Sequence, residues 1–97
     1  MNTKNLTAKI EDRLLATYIT NNPKFENACL SGDGSMIMEI VEAEMKKNKL
    51  YTKGSKKLQT DIIKKLKGQT KVSTYVGQEI LFFVYNSRLA GIGLAVS

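Results

Sequence analysis

From Val72 to Val96 the chain reads VSTYVGQEILFFVYNSRLAGIGLAV, and whether this stretch is strand or helix decides the fold. Read as strand, Val72, Thr74 and Val76 alternate with smaller or polar residues, and Gly77 and Gln78 supply a two-residue turn whose first position suits glycine. The run from Ile80 to Tyr85 is β-branched and aromatic, as buried strands are. Ile92, Leu94 and Val96 then alternate with Gly93 and Ala95, which makes a third strand with one large face and one small one. Read as helix, Thr74 to Ala90 is apolar all round and Gly91 ends it. The strand reading is preferred, because Gly91 and Gly93 disfavour a helical continuation and β propensity is high through Tyr85.

Working back from this stretch, the helical period is plainer. Leu58, Ile62, Ile63 and Leu66 occupy one arc of a helix from about Lys56 to Lys67, capped by Ser55 after Gly54 and closed by Gly68. Lys56, Lys57, Lys64 and Lys67 fall on the opposite arc. Ile37, Met38, Ile40, Val41 and Met45 mark the buried face of a helix from about Met36 to Asn48, with Ser35 as its cap after the loop Gly32-Asp33-Gly34. Leu6, Ile10, Leu14, Leu15, Tyr18 and Ile19 predict a first helix over Thr7 to Thr20, ended by Asn21-Asn22-Pro23. A short turn of helix over Pro23 to Leu30 would bury Phe25 and Cys29.

The expectation is therefore an α+β domain: three amphipathic helices followed by a C-terminal three-stranded antiparallel meander, with an all-α four-helix bundle as the alternative. At 97 residues, 42% of them hydrophobic, with one proline, the chain is predicted to fold as one domain spanning 1–97. The core is small enough that homodimerisation through an apolar edge is a further expectation.

Composition narrows function by exclusion. There is no histidine and a single cysteine, so neither an internal disulfide nor a zinc site is expected, and the commonest general base is missing. No metal or cofactor is predicted. Lys4, Lys9, Glu11, Asp12 and Arg13 interrupt the first twenty residues, which leaves no secretory signal and predicts a cytoplasmic protein. Asn86, Ser87 and Arg88 interrupt Ile80 to Val96, so no membrane span is expected.

Charge is the positive signal. The formal net charge is +6, yet from Lys46 to Lys71 ten lysines face one acid, Asp61, for a local +9, and the remainder of the chain is −3. A solvated row of cations attracts polyanions by releasing their counterions, so the predicted partner is nucleic acid, with Lys53, Lys56, Lys57, Lys64, Lys65, Lys67 and Lys71 as its contacts. An anionic membrane or an acidic protein surface offers the same charge. The bland reading is that these lysines merely solubilise an outward helix face. Arg13 and Arg88 are the only arginines, so contact is expected to be to backbone and weakly sequence-specific. Tyr51 and Tyr75 flank the lysine helix and could stack on bases, although covering the edge of the core is their expected role.

Other motifs are weaker. A helix-turn-helix can be laid over Leu58 to Leu81 only if the second helix absorbs Gly77, and a winged variant needs a Val72 to Tyr85 hairpin. The Ser31 to Ser35 loop lacks the lysine and spacing of a P-loop. Glu39, Glu42 and Glu44 are read as solvated carboxylates, and Cys29 as a buried hydrophobe with no base to activate it. The chain is thus read as a non-enzymatic binding or regulatory protein. The second reading is a protein-directed inhibitor or adaptor of the kind phages and mobile elements use, resting on small size, no catalytic apparatus, a methionine-rich helix and apolar strands that could dock or dimerise.

Overall fold

Asn22 and Pro23 set the first corner. Asn22 is extended (φ −73°, ψ 120°) and its side chain accepts a hydrogen bond from the Lys24 amide at 3.0 Å, while Pro23 takes the first helical position, where its missing N–H costs nothing. A computed structural model describes residues 13–96, and these are all-α. Helix α1 covers 13–21, α2 Pro23–Leu30, α3 Gly34–Asn48, α4 Lys53–Leu66 and α5 Thr74–Val96. The expected start of the first helix, with Leu6 and Ile10, lies outside the described residues. Leu15, Ala16 and Ile19 are the buried face of what is described.

The meander is the principal correction. No strand occurs among the described residues, and Thr74–Val96 is one helix that runs through both Gly77 and Gly91. The class is that of the all-α alternative, with five helices described where four were expected. The physical reason lies in which residues of the apolar run face inward. Gly77, Ile80, Leu81 and Val84 are buried, whereas Tyr75, Phe82, Tyr85 and Leu89 are exposed. Burial at i, i+3, i+4 and i+7 is the helical period, and tertiary packing on that face overrides local β propensity. Ser73 starts the helix: its Oγ accepts from the Val76 amide at 3.2 Å and its carbonyl from the Gly77 amide at 2.9 Å.

Gly77, assigned above to a hairpin turn, is instead the point where α5 crosses α2. A β-carbon there would fall on the backbone carbonyl of Cys29. Phe25, Ala28 and Cys29 of α2 are buried at this crossing and against α3. α3 buries Ile37, Ile40, Val41 and Met45 and packs on α4, which contributes Leu58, Ile62 and Leu66. α4 in turn lies along α5.

Two caps lie two and three residues earlier than expected. Asp33, not Ser35, caps α3 by accepting from the Met36 amide at 3.0 Å. Thr52, not Ser55, caps α4, which starts at Lys53, and Ser55 is fully buried. Residues 67–73 then join α4 to α5, a longer link than the three- or four-residue turn of a helix-turn-helix. This link is pinned to the loop before α3. The Val72 amide donates to the Gly32 carbonyl at 2.9 Å and the Ser35 amide to the Thr70 carbonyl at 3.2 Å, with Asp33 and Lys71 forming an isolated antiparallel bridge. Gly32 adopts φ +68°, and a side chain there would strike the Val72 carbonyl, so the glycine permits the pairing.

Candidate nucleic-acid interface

On α4 the apolar arc is fixed in the core by Leu58, Ile62 and Leu66, which forces the opposite arc into solvent. At 100° per residue, Lys53, Lys56, Lys57, Lys64 and Lys67 share about 100° of that outer arc and span roughly 21 Å of helix axis. All five are exposed. Lys57 meets Asp61 at 3.7 Å one turn on, a solvated pair of the kind that contributes little. Among the described residues, Lys53, Lys56, Lys64, Lys67 and Lys71 make no ion pair.

Lys65 and Lys71 stand apart from that row. Lys65 leans toward α5, where its Nζ lies 3.4 Å from Glu79 and 4.8 Å from the centre of the Phe83 ring. It is a bridge between helices as much as a surface cation. Lys71 belongs to the α4–α5 link, tied to Asp33 through the backbone, and borders a separate hollow with Ser31, Thr70 and Val72. The structure therefore brings together five of the seven lysines read from the sequence, sets Lys65 at the margin and places Lys71 elsewhere.

Beside the row, α4 and α5 enclose a groove. Its two adjoining parts measure 440 and 570 Å³ and share Lys65, Tyr75, Glu79 and Phe83. Phe82, Gln78 and Asn86 complete one part, Asp61, Lys64, Lys67 and Val76 the other. Tyr75 is 78% exposed and Phe82 64%, so Tyr75 does not cover the edge of the core as expected. Tyr51 is also exposed, near the end of the α3–α4 link, and does not border this groove. Phe82, Gln78 and Asn86 escaped the sequence reading because strands would have scattered them. On a helix, Tyr75 and Phe82 are seven residues apart and share a face.

The remaining polar groups are structural. Arg88, which would be the natural phosphate ligand, donates instead to Thr20 Oγ1 at 3.1 Å and Asn21 Oδ1 at 3.4 Å, tying α5 to α1. Glu44 is buried rather than solvated, its two oxygens accepting from Asn22 at 3.0 Å and Asn48 at 3.2 Å. Glu39 and Glu42 are exposed. Burial, with a smaller contribution from Glu26, pushes the Cys29 thiol up to about 12. No cluster of three metal-ligating side chains occurs among the described residues, and none of the described helices is long and apolar enough to cross a membrane.

The chain matches no family model, no curated protein and no solved structure.

Proposed function

We propose that this protein is a small non-enzymatic binding module that contacts the backbone of nucleic acid through the outer face of α4. The observation that carries the reading is the placement of its cations against the helix dipole. Lys53 and Lys56 lie in the first turn of α4, which contains no acid. A cation there faces the positive end of the helix and costs roughly 0.3–1 kcal/mol. Lysines placed only for solubility would gather toward the other end, as Lys64 and Lys65 do. Carrying cations along the whole face at that cost is explained by an anionic partner that spans it.

Backbone contact follows from side-chain chemistry. Lysine is a compact point charge that neutralises phosphate but does not read base edges in the bidentate manner of arginine. Arg88 is already engaged with Thr20 and Asn21. Binding by the lysine row is thus salt-sensitive and nearly indifferent to sequence.

Fluorescence anisotropy with labelled oligonucleotides at 50 and 200 mM salt tests this. Affinity should fall with a log–log slope of about −3 to −5, as expected for four or five phosphates neutralised. Reversing Lys53, Lys56, Lys64 and Lys67 to glutamate should abolish it. The absence of binding at low salt, or full binding by the reversed variant, would discard the reading in favour of another partner for the α4 face.

A further inference from the structure

The lysine row explains attraction but leaves the groove beside it without a role. Two large aromatic rings, Tyr75 and Phe82, stand in solvent on α5, and the amides of Gln78 and Asn86 border the same part of the groove. We propose that this groove takes single-stranded nucleic acid, with bases stacked on Tyr75 and Phe82 and the phosphates turned toward Lys64 and Lys67. The proposal deepens the reading of α4 as a nucleic-acid face and rests on it.

Charge complementarity orients the strand. The α4 rim bears Lys64 and Lys67, exposed and making no ion pair among the described residues, and one acid, Asp61, which Lys57 meets at 3.7 Å. The α5 side bears aromatic rings and amides. Its one carboxylate, Glu79, is matched by Lys65 at 3.4 Å, so it opposes phosphate less than a free acid would. A polymer with anions along one edge and flat aromatic faces along the other fits this division. A single strand has both edges free. In a duplex the faces of the bases are already stacked on one another, and only phosphates and base edges are presented.

Dimensions agree. Seven residues of helix separate Tyr75 from Phe82 by about 10.5 Å along the axis. That is about three stacking intervals of 3.4 Å, room for two consecutive bases between the rings. The 440 and 570 Å³ hollows lie within the size range of small-ligand clefts. Amides such as Gln78 and Asn86 offer both a donor and an acceptor, which lets them bond the exposed edges of any base without selecting one.

The other occupants fit less well. A second copy docking here would bring two sets of Lys64 and Lys67 toward each other.

The experiment uses the full chain with a fluorescein-labelled 15-nucleotide oligo-dT, a 15-base-pair duplex and vesicles containing phosphatidylserine, all at 50 mM salt. The single strand should bind at least tenfold more tightly than the duplex. It should also quench tyrosine emission, which no tryptophan masks in this chain. Tyr75→Ala and Phe82→Ala should each weaken the single strand by about tenfold, within the range for loss of one stacking platform, and leave the duplex unchanged. Tyr75→Phe should retain binding. Both positions are exposed, so thermal melts should match the parent; if one alanine variant fails to fold, the other and the quenching still decide. Equal affinity for strand and duplex, with both alanine variants unaffected, overturns the groove proposal and leaves the α4 reading standing. Binding to neither oligonucleotide, whether or not the vesicles bind, overturns both.

Discussion

Gly77 of α5 lies against the backbone carbonyl of Cys29 of α2, so closely that a β-carbon at position 77 would occupy the place of that oxygen. Helix propensity alone favours alanine over glycine by about 1 kcal/mol. Here the clash is with backbone, which cannot swing aside, and overpacking typically costs 1–3 kcal/mol or more. Gly77→Ala should therefore lose about 2 kcal/mol of stability in urea denaturation. Gly68→Ala is the informative contrast. Gly68 has φ +70° but open space around it, so its loss should be nearer 1 kcal/mol and due to backbone conformation alone.

Glu44 joins the start of α2 to α3. Its carboxylate accepts from Asn22 and Asn48 while only 9% exposed, and Asn22 is at the same time the cap of α2. Glu44→Ala removes the carboxylate acceptor of the Asn22 amide and leaves Asn48 only the Glu44 carbonyl at 2.8 Å, and should cost about 2 kcal/mol, the scale of hydrogen bonds to a charged group. Glu44→Gln keeps one acceptor and should fall between. The urea midpoint should drop at an unchanged m-value in both.

The Cys29 thiol is raised from 9.0 to about 12 by burial first and Glu26 second. A raised folded-state pKa favours the protonated form, so the contribution is fully present below pH 9 and is lost as pH climbs from 9 toward 12. Comparing the parent with Cys29→Ala isolates this group from the rest of the chain. The stability difference between the two should shift against the parent between pH 8 and pH 10.5. At pH 8 the native thiol should also resist alkylation until the protein is unfolded.

Glu79 holds Lys65 at the edge of the groove and adds an anion to it. If the α4–α5 region binds polyanions, Glu79→Gln should tighten oligonucleotide binding severalfold and steepen the salt dependence by about one unit, because one more cation becomes available. Lys65→Glu should do the reverse. It should also cost about 1 kcal/mol of stability, since it sets two carboxylates together and removes the cation from the face of Phe83. Anisotropy titrations and thermal melts separate the two effects.

Much of the helical scaffold was legible because its signals are local. Pro23 after Asn22, the alternation of Ile37, Ile40, Val41 and Met45 with charged residues, and the arc of Leu58, Ile62 and Leu66 each declare a period or a boundary within a few residues. The exposed face of α4 follows from the same arithmetic, which put Lys56, Lys57, Lys64 and Lys67 on it without coordinates; Lys53, expected in the connector, joins the row because α4 starts there. Ile63 was not placed correctly: it shares the apolar arc but is 42% exposed and borders a small hollow with Met38 and Leu66.

The segment from Val72 to Val96 could not be decided locally. Apolar residues occupy nearly every position of Ile80 to Tyr85, so periodicity carries no contrast there, and β propensity then points the wrong way. Only packing shows which residues face inward. Gly77 admits the backbone of α2, Ile80 and Val84 follow it into the core, and the chain must be helical for all three to share a face. The sequence by itself thus determined the lysine face of α4 and the helices around it, since charge and amphipathic period are properties of neighbouring residues. Tertiary structure alone decided that the last segment is a helix, and with it that Tyr75 and Phe82 stand on one face beside those lysines. That outcome depends on contact between residues far apart in the chain, Cys29 with Gly77 above all.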